Sequence, residues 1–207
     1  MNKALLIGSR NCVPYLSMDA AEKALPGILG CAVDACDETE HGNLDYGKIK
    51  DYGMIVFMPA SWRETGSAAS AQAVFRYVLH GGNLLIAGNG LDMGNAQELK
   101  VITACVYQGS SYYTELDLEP AGRMAESCDR ITVRTVPHFV KPDVFKQSEV
   151  LMTFRYGNAE YPALFAHTWS KGKAACLTVD LTAESINALA PAVKAVAVFF
   201  ESGQVAR

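Results

Sequence analysis

The sequence predicts an α/β protein built on a doubly wound, mostly parallel sheet, with an elaborated second half. Three observations carry this reading. Short apolar runs at 3–8, 52–58 and 83–87 lack the in–out alternation of a one-sided sheet, as strands covered on both faces do. Segments of helical periodicity stand between them. Glycine and proline punctuate the junctions. Strand and helix alternating in this way give parallel strands with right-handed crossovers.

The elements follow in order. Lys3–Gly8 is the first strand and enters a Gly-Ser-Arg-Asn loop. Pro14–Leu25 carries Leu16, Ala20, Ala21, Ala24 and Leu25 at helical spacing, and Pro26-Gly27 is expected to end or kink that helix. Cys31–Cys36 is the second strand, followed by the acidic loop Asp37-Glu38-Thr39-Glu40-His41. Leu44–Lys50 is a short helix or turn. Tyr52–Met58 is the strongest strand signal. Ser67–His80 is helical, with Ala71, Val74, Phe75 and Val78 on one face, and Gly81-Gly82 caps it. Asn83–Ala87 is the fourth strand. Beyond it, Ala96–Ala104 is helical, and Tyr107–Leu118, Arg130–Val133 and Val150–Tyr156 are extended, punctuated by Pro120, Pro137 and Pro142. Tyr161–Trp169 and Lys173–Leu181 are two strands joined by a Ser-Lys-Gly turn. The last helix, Ser185–Phe200, is apolar at Ile186, Leu189, Val193, Val196, Ala197 and Phe200. With no repeat, low-complexity tract or linker, residues 1–207 are read as one domain.

Composition narrows the function. A chain of 207 residues buries roughly 70% of its unfolded surface, enough to fold without disulfide or metal. The net charge is −4 and no basic block occurs, so neither nucleic acid nor an anionic membrane is an expected partner. The apolar run after Lys3 is too short for a signal peptide, and no run reaches the ~20 residues of a membrane span. The expected location is cytoplasmic. The six cysteines include no Cys-x-x-Cys pair. Cys31 and Cys36 fall at the two ends of one strand and point to opposite faces, so reduced thiols are expected.

Ligands of an open parallel sheet bind beyond the carboxyl ends of its strands. The residues there are Ser9 and Arg10 after the first strand; Ser61, Trp62, Arg63 and Glu64 after the third; Asn89 and Asp92 after the fourth. Asp180 follows the late strand and folds back to the same edge in this reading. Trp62 and Arg63 together make a stacking surface and an anion donor; equally, Trp62 covers a helix end and Arg63 pairs with Glu64 in solvent. Gly88-Asn89-Gly90 has the shape of a nucleophile turn, but asparagine is not an activated nucleophile, so Asn89 orients a ligand or simply turns the chain. The spacing of Asp37, Glu38, Glu40 and His41 matches no zinc pattern, so no metal is expected. His80 offsets a helix dipole. His138, in a loop after Pro137, and His167, on a strand, carry no assignment. Neither Gly-x-Gly-x-x-Gly nor a phosphate loop is present, and no cofactor is expected.

Tyr52-Gly-Met-Ile-Val-Phe-Met, His80-Gly-Gly-Asn-Leu-Leu-Ile-Ala-Gly-Asn-Gly and Trp169-Ser-Lys-Gly-Lys-Ala-Ala-Cys-Leu-Thr-Val-Asp resemble the ThuA-like (trehalose-utilisation) branch of the class I glutamine amidotransferase-like superfamily. The resemblance covers most of the chain and implies a flavodoxin-like fold and a carbohydrate-related role. It also marks departures. The turn that holds the amidotransferase cysteine, or the ThuA-like histidine, here holds Asn89. Where a catalytic histidine and glutamate would follow the last strand, the chain has Asp180, Thr182 and Glu184 but no histidine. Cysteine–histidine glutaminase chemistry is therefore not expected. The residues favour a small-molecule-binding protein. The alternatives are an assembly subunit, homo-oligomeric through the last helix or the Tyr107, Tyr112 and Tyr113 run, and a hydrolase or isomerase using Glu64, Asp92 or Asp180.

Overall fold

A computed structural model of the chain describes residues 1–10, 18–37, 44–58, 68–93, 96–142 and 148–202. The first four strands are β1 (Lys3–Gly8), β2 (Ala32–Asp37), β3 (Met54–Met58) and β4 (Asn83–Ala87). The helices among them are α1 (Asp19–Leu29), α2 (Tyr46–Ile49) and α3 (Ala68–Leu79). Then come α4 (Gln97–Thr103), β5 (Cys105–Ser110), β6 (Thr114–Pro120), β7 (Ile131–Thr135) and β8 (His138–Pro142). The chain continues through β9 (Glu149–Tyr156), β10 (Ala159–Trp169), β11 (Gly172–Leu177) and α5 (Ala190–Glu201).

Nine strands form one sheet in the order β2-β1-β3-β4-β11-β10-β9-β6-β7, and β5 pairs with β8 in a small second sheet. The run β2-β1-β3-β4-β11 is parallel throughout. This is the flavodoxin-like order 2-1-3-4-5, with β11 in fifth place. From β11 onward the pairing is antiparallel.

Alternate residues of the buried strands supply two cores, one on each face of the sheet. Ala4, Leu6, Met54, Val56, Leu85 and Ala175 pack against Ala21 and Leu25 of α1 and Val193, Val196 and Phe200 of α5. Leu5, Ile7, Ile55, Phe57, Leu84 and Ile86 pack against Val74 and Val78 of α3 and Leu99 and Ile102 of α4. The period of two along each strand puts neighbours on opposite faces, and it divides Cys31 from Cys36 as expected. The five described cysteines form no disulfide. No helix among the described residues is long and apolar enough to cross a membrane.

Four sequence expectations are corrected. The first helix continues past Pro26 to Leu29 and ends at Gly30, whose φ is 66°. Ile28 and Leu29 pack against the core, so tertiary burial outweighs the one backbone donor that Pro26 lacks. The stretch 107–118 divides between β5 and β6, which lie in different sheets. The late strand stops at Leu177, not Leu181. The last helix begins at Ala190. Upstream of it, the Ser185 hydroxyl accepts from the Thr182 N–H at 2.7 Å and donates to the Asp180 carbonyl at 2.6 Å. These bonds hold residues 180–185 in a turn, and Pro191 then suits the first turn of a helix.

Candidate functional site

A cleft of about 700 Å³ opens at the carboxyl end of β4, lined by Asn89, Ser110, Ser111, Tyr112, Tyr113, Val136, Asp180, Thr182, Ala183 and Glu184. Two structural facts place it there. After β4 the chain turns through a short 3-10 segment, Gly88–Leu91. After β11 it passes alongside, held by an antiparallel bridge between Pro137 and Val179 and by the His138 N–H donating to the Thr178 carbonyl at 2.8 Å. The small β5–β8 sheet therefore abuts the residues that follow β11.

Asp180 is the centre of this arrangement and is 4% exposed. Its Oδ1 accepts from the Asn89 backbone N–H at 3.1 Å and meets His138 Nε2 at 3.0 Å. A carboxylate oxygen only accepts, so Nε2 carries a proton; His138 Nδ1 lies 3.3 Å from the Tyr107 hydroxyl. The Asp180 carbonyl is held as well, by the hydroxyls of Thr135 at 3.1 Å and Ser185 at 2.6 Å. Among the described residues nothing donates to Oδ2, and the side chain lines the cleft. Asp180 thus holds one carboxylate oxygen in place, while the other has no donor among the described residues.

Gly88 makes the contact geometrically accessible. Its φ is 53°, and a Cβ built there would lie 1.8 Å from Asp180 Oδ1. Only glycine tolerates both the left-handed backbone and that approach.

The outer wall is aromatic. Tyr112 is 89% exposed. The Tyr113 hydroxyl donates to Glu184, and the Arg134 guanidinium lies 5.5 Å from the Tyr113 ring centroid. The Glu184 hydrogen bond, with burial second, raises the Tyr113 hydroxyl above its ordinary value. The Ser111 hydroxyl pairs with that of Tyr156.

The structure brings together Asn89 and Asp180 of the sequence-predicted residues. Ser9 is buried at the end of β1. The Arg10 guanidinium pairs with Asp19 and Glu22 of α1, and its backbone N–H donates to Asp37 at 2.9 Å. Asp92 is half-buried; its N–H donates to the Asn89 carbonyl at 3.0 Å, and it lies outside the lining. Ser61, Trp62, Arg63 and Glu64 lie outside the described residues, as do Glu38, Glu40 and His41. Among the described residues no group of three metal-ligating side chains is present.

Sequence reasoning did not assign to the site the lining residues contributed by 110–113, nor His138 and Tyr107 behind Asp180. His138 starts a strand rather than sitting in a loop, and its ring is fully buried. It is 42 residues from Asp180, and no spacing motif links them. The ring lies behind the Asp180 carboxylate, away from the solvent.

No family model matches the chain, and no curated protein matches it by sequence. Solved structures do match in fold. A protein from Bacteroides uniformis ATCC 8492 described as ThuA-like is 15% identical, with 96% of this chain and 89% of that one covered, at a TM-score of 0.72. A second such protein, from Parabacteroides merdae ATCC 43184, is 15% identical, with 100% and 92% covered, also at 0.72. A β-galactosidase from Halorubrum lacusprofundi is 16% identical; 96% of this chain matches 29% of that enzyme, at 0.66. Likeness at this identity concerns the backbone alone. The chain therefore has the α/β fold of the proteins described as ThuA-like, along nearly its whole length.

Proposed function

We propose that the cleft binds a small polyhydroxylated molecule of the carbohydrate class. The observation that carries this is Asp180. Its carboxylate is almost fully buried, fixed through one oxygen by Asn89 and His138, and free at the other oxygen beside an exposed tyrosine. A preorganised carboxylate oxygen is a strong acceptor for ligand hydroxyls, because charge-assisted bonds are roughly twice as strong as neutral ones. Ser110, Ser111 and Thr182 add hydroxyls that donate or accept as the ligand requires. Tyr112 offers a flat apolar face with a polar tip, which suits the C–H face of a sugar ring. The ThuA-like and β-galactosidase descriptions of the structural neighbours agree with this chemistry without assigning it.

The test is calorimetric titration and thermal unfolding with neutral monosaccharides and polyols. At least one sugar is expected to bind and to raise the unfolding temperature. Tyr112→Ala should weaken that binding several-fold with little change in the stability of the free protein, since the side chain is exposed. A panel in which no sugar or polyol binds the wild type would overturn the proposal.

A further inference from the structure

The charge of the cleft points to a narrower class of ligand. Two carboxylates, Asp180 and Glu184, stand in the lining, and among the described residues no lysine, arginine or histidine side chain lines it. The other polar lining groups are neutral hydroxyls and one amide. Arg134 is near, but its guanidinium packs over the Tyr113 ring rather than entering the lining. His138 contacts Asp180 from behind, at Oδ1, and is fully buried.

Displacing water from such a site costs free energy at every ionised group that is left without a counter-charge. The cost is greatest at Asp180, which is 4% exposed and whose Oδ2 receives no hydrogen bond from the described residues. A ligand that brings only hydroxyls offsets part of it. An anionic ligand adds repulsion from two like charges. A ligand carrying an ammonium group offsets both carboxylates and can also lie against the face of Tyr112, which is 89% exposed, as a cation–π contact.

Resting on the carbohydrate reading above, we infer that the cleft selects an amine-bearing polyol, an amino sugar over its neutral and acidic counterparts. Asp180 and Glu184 act as the cation-binding pair, and Tyr112 and Tyr113 form the aromatic side of the same subsite. His138 and Tyr107 are positioning residues that hold the acceptor oxygen in place.

The experiment titrates the full chain with glucosamine, glucose and glucuronic acid near neutral pH, below the pKa of the amine, at low and high salt. Glucosamine is expected to bind about tenfold more tightly than glucose, the scale of one partly screened charge contact, and glucuronic acid more weakly than glucose. The glucosamine advantage should shrink at high salt. Asp180→Asn keeps the shape of the side chain and should abolish most of the preference. Glu184→Gln, at an exposed position that does not threaten folding, should reduce it several-fold. Equal binding of glucosamine and glucose, or tighter binding of glucuronic acid, would overturn the charge inference while leaving the carbohydrate reading intact. No binding by any of the three sugars overturns the charge inference, and the carbohydrate reading falls with it only if the wider panel of sugars and polyols fails to bind as well.

Discussion

The parallel and antiparallel parts of this molecule serve the cleft in different ways. The parallel strands deliver a backbone turn and one carboxylate: the end of β4 supplies the Gly88 turn and the Asn89 N–H, and the end of β11 carries the chain to the Asp180 side chain. The antiparallel strands deliver the groups that surround it. Tyr107 comes from β5, His138 from β8, and Tyr112 and Tyr113 from the link between β5 and β6. The general rule for open sheets locates the cleft, and the later segments furnish it with chemistry. A fold shared along nearly the whole chain at about 15% identity leaves the side chains of the cleft free to differ, so the same backbone can house different ligands.

Substitutions can break this division of labour at its seam. Gly88→Ala should have the largest effect, since the ends of β4 and β11 meet there. The new methyl would overlap Asp180 Oδ1 at 1.8 Å and its Cα at 2.9 Å, on a backbone at φ 53°. A loss of about 3 kcal/mol or more is expected, read as a lowered urea midpoint at unchanged slope. A midpoint within experimental error of the wild type would show that the two strand ends do not meet as described.

His138→Ala comes next. It removes a fully buried ring and one of the two donors to Asp180 Oδ1, at an expected cost of about 2–4 kcal/mol in the same measurement. Tyr107→Phe removes only the outer hydroxyl of the chain and should cost about 1 kcal/mol. Equal costs for the two would mean that neither the volume of the His138 ring nor its bond to Asp180 adds to what the Tyr107 hydroxyl contributes.

The smallest effect lies at the far edge of the parallel half. The Lys3 ammonium, and after it the Tyr52 hydroxyl, hold the Asp34 carboxyl below the usual carboxylate range. Burial and the Asp34 hydrogen bond in turn push Tyr52 up to about 12. A folded-state value below the unfolded one means that Asp34 adds stability above the unfolded pKa of about 3.9. That increment is lost as pH falls from there through the folded value. The difference in unfolding temperature between wild type and Asp34→Asn should therefore be small and constant near neutrality, and should vanish in acid. The side chain is 43% exposed, which keeps the effect modest. A difference that grows in acid would reverse the assigned sign.

The same contrast explains what the sequence made legible. In the parallel half the inner strands are buried on both faces, so Lys3–Gly8, Met54–Met58 and Asn83–Ala87 announce themselves by composition. Asp180 could be placed near Asn89 because the sheet rule applies to any strand end. The antiparallel half depends on pairing between distant segments, and Tyr107–Leu118 is the clearest case. It reads as one extended run, yet Gly109 at φ 134° and the turn at 111–113 send its two parts to different sheets. His138 stayed unassigned for the same reason: its role depends on a bridge between Pro137 and Val179, and nothing local encodes that bridge.

One feature of the sheet also bears on how the molecule is made. β11 occupies the middle of the sheet, between β4 and β10, yet it is the last strand in the chain, with Lys173 in register with Asn83. During synthesis β4 emerges early and then waits with an open hydrogen-bonding edge until residues 172–177 leave the ribosome. At roughly 5–20 residues per second the wait lasts several seconds. Throughout it, the edge of β4 is a template for unwanted pairing. Helices α3 and α4, made before and soon after β4, can cover one of its faces but not that edge. The nascent chain is therefore most exposed to aggregation, and most dependent on chaperones, in the interval between its fourth strand and its eleventh.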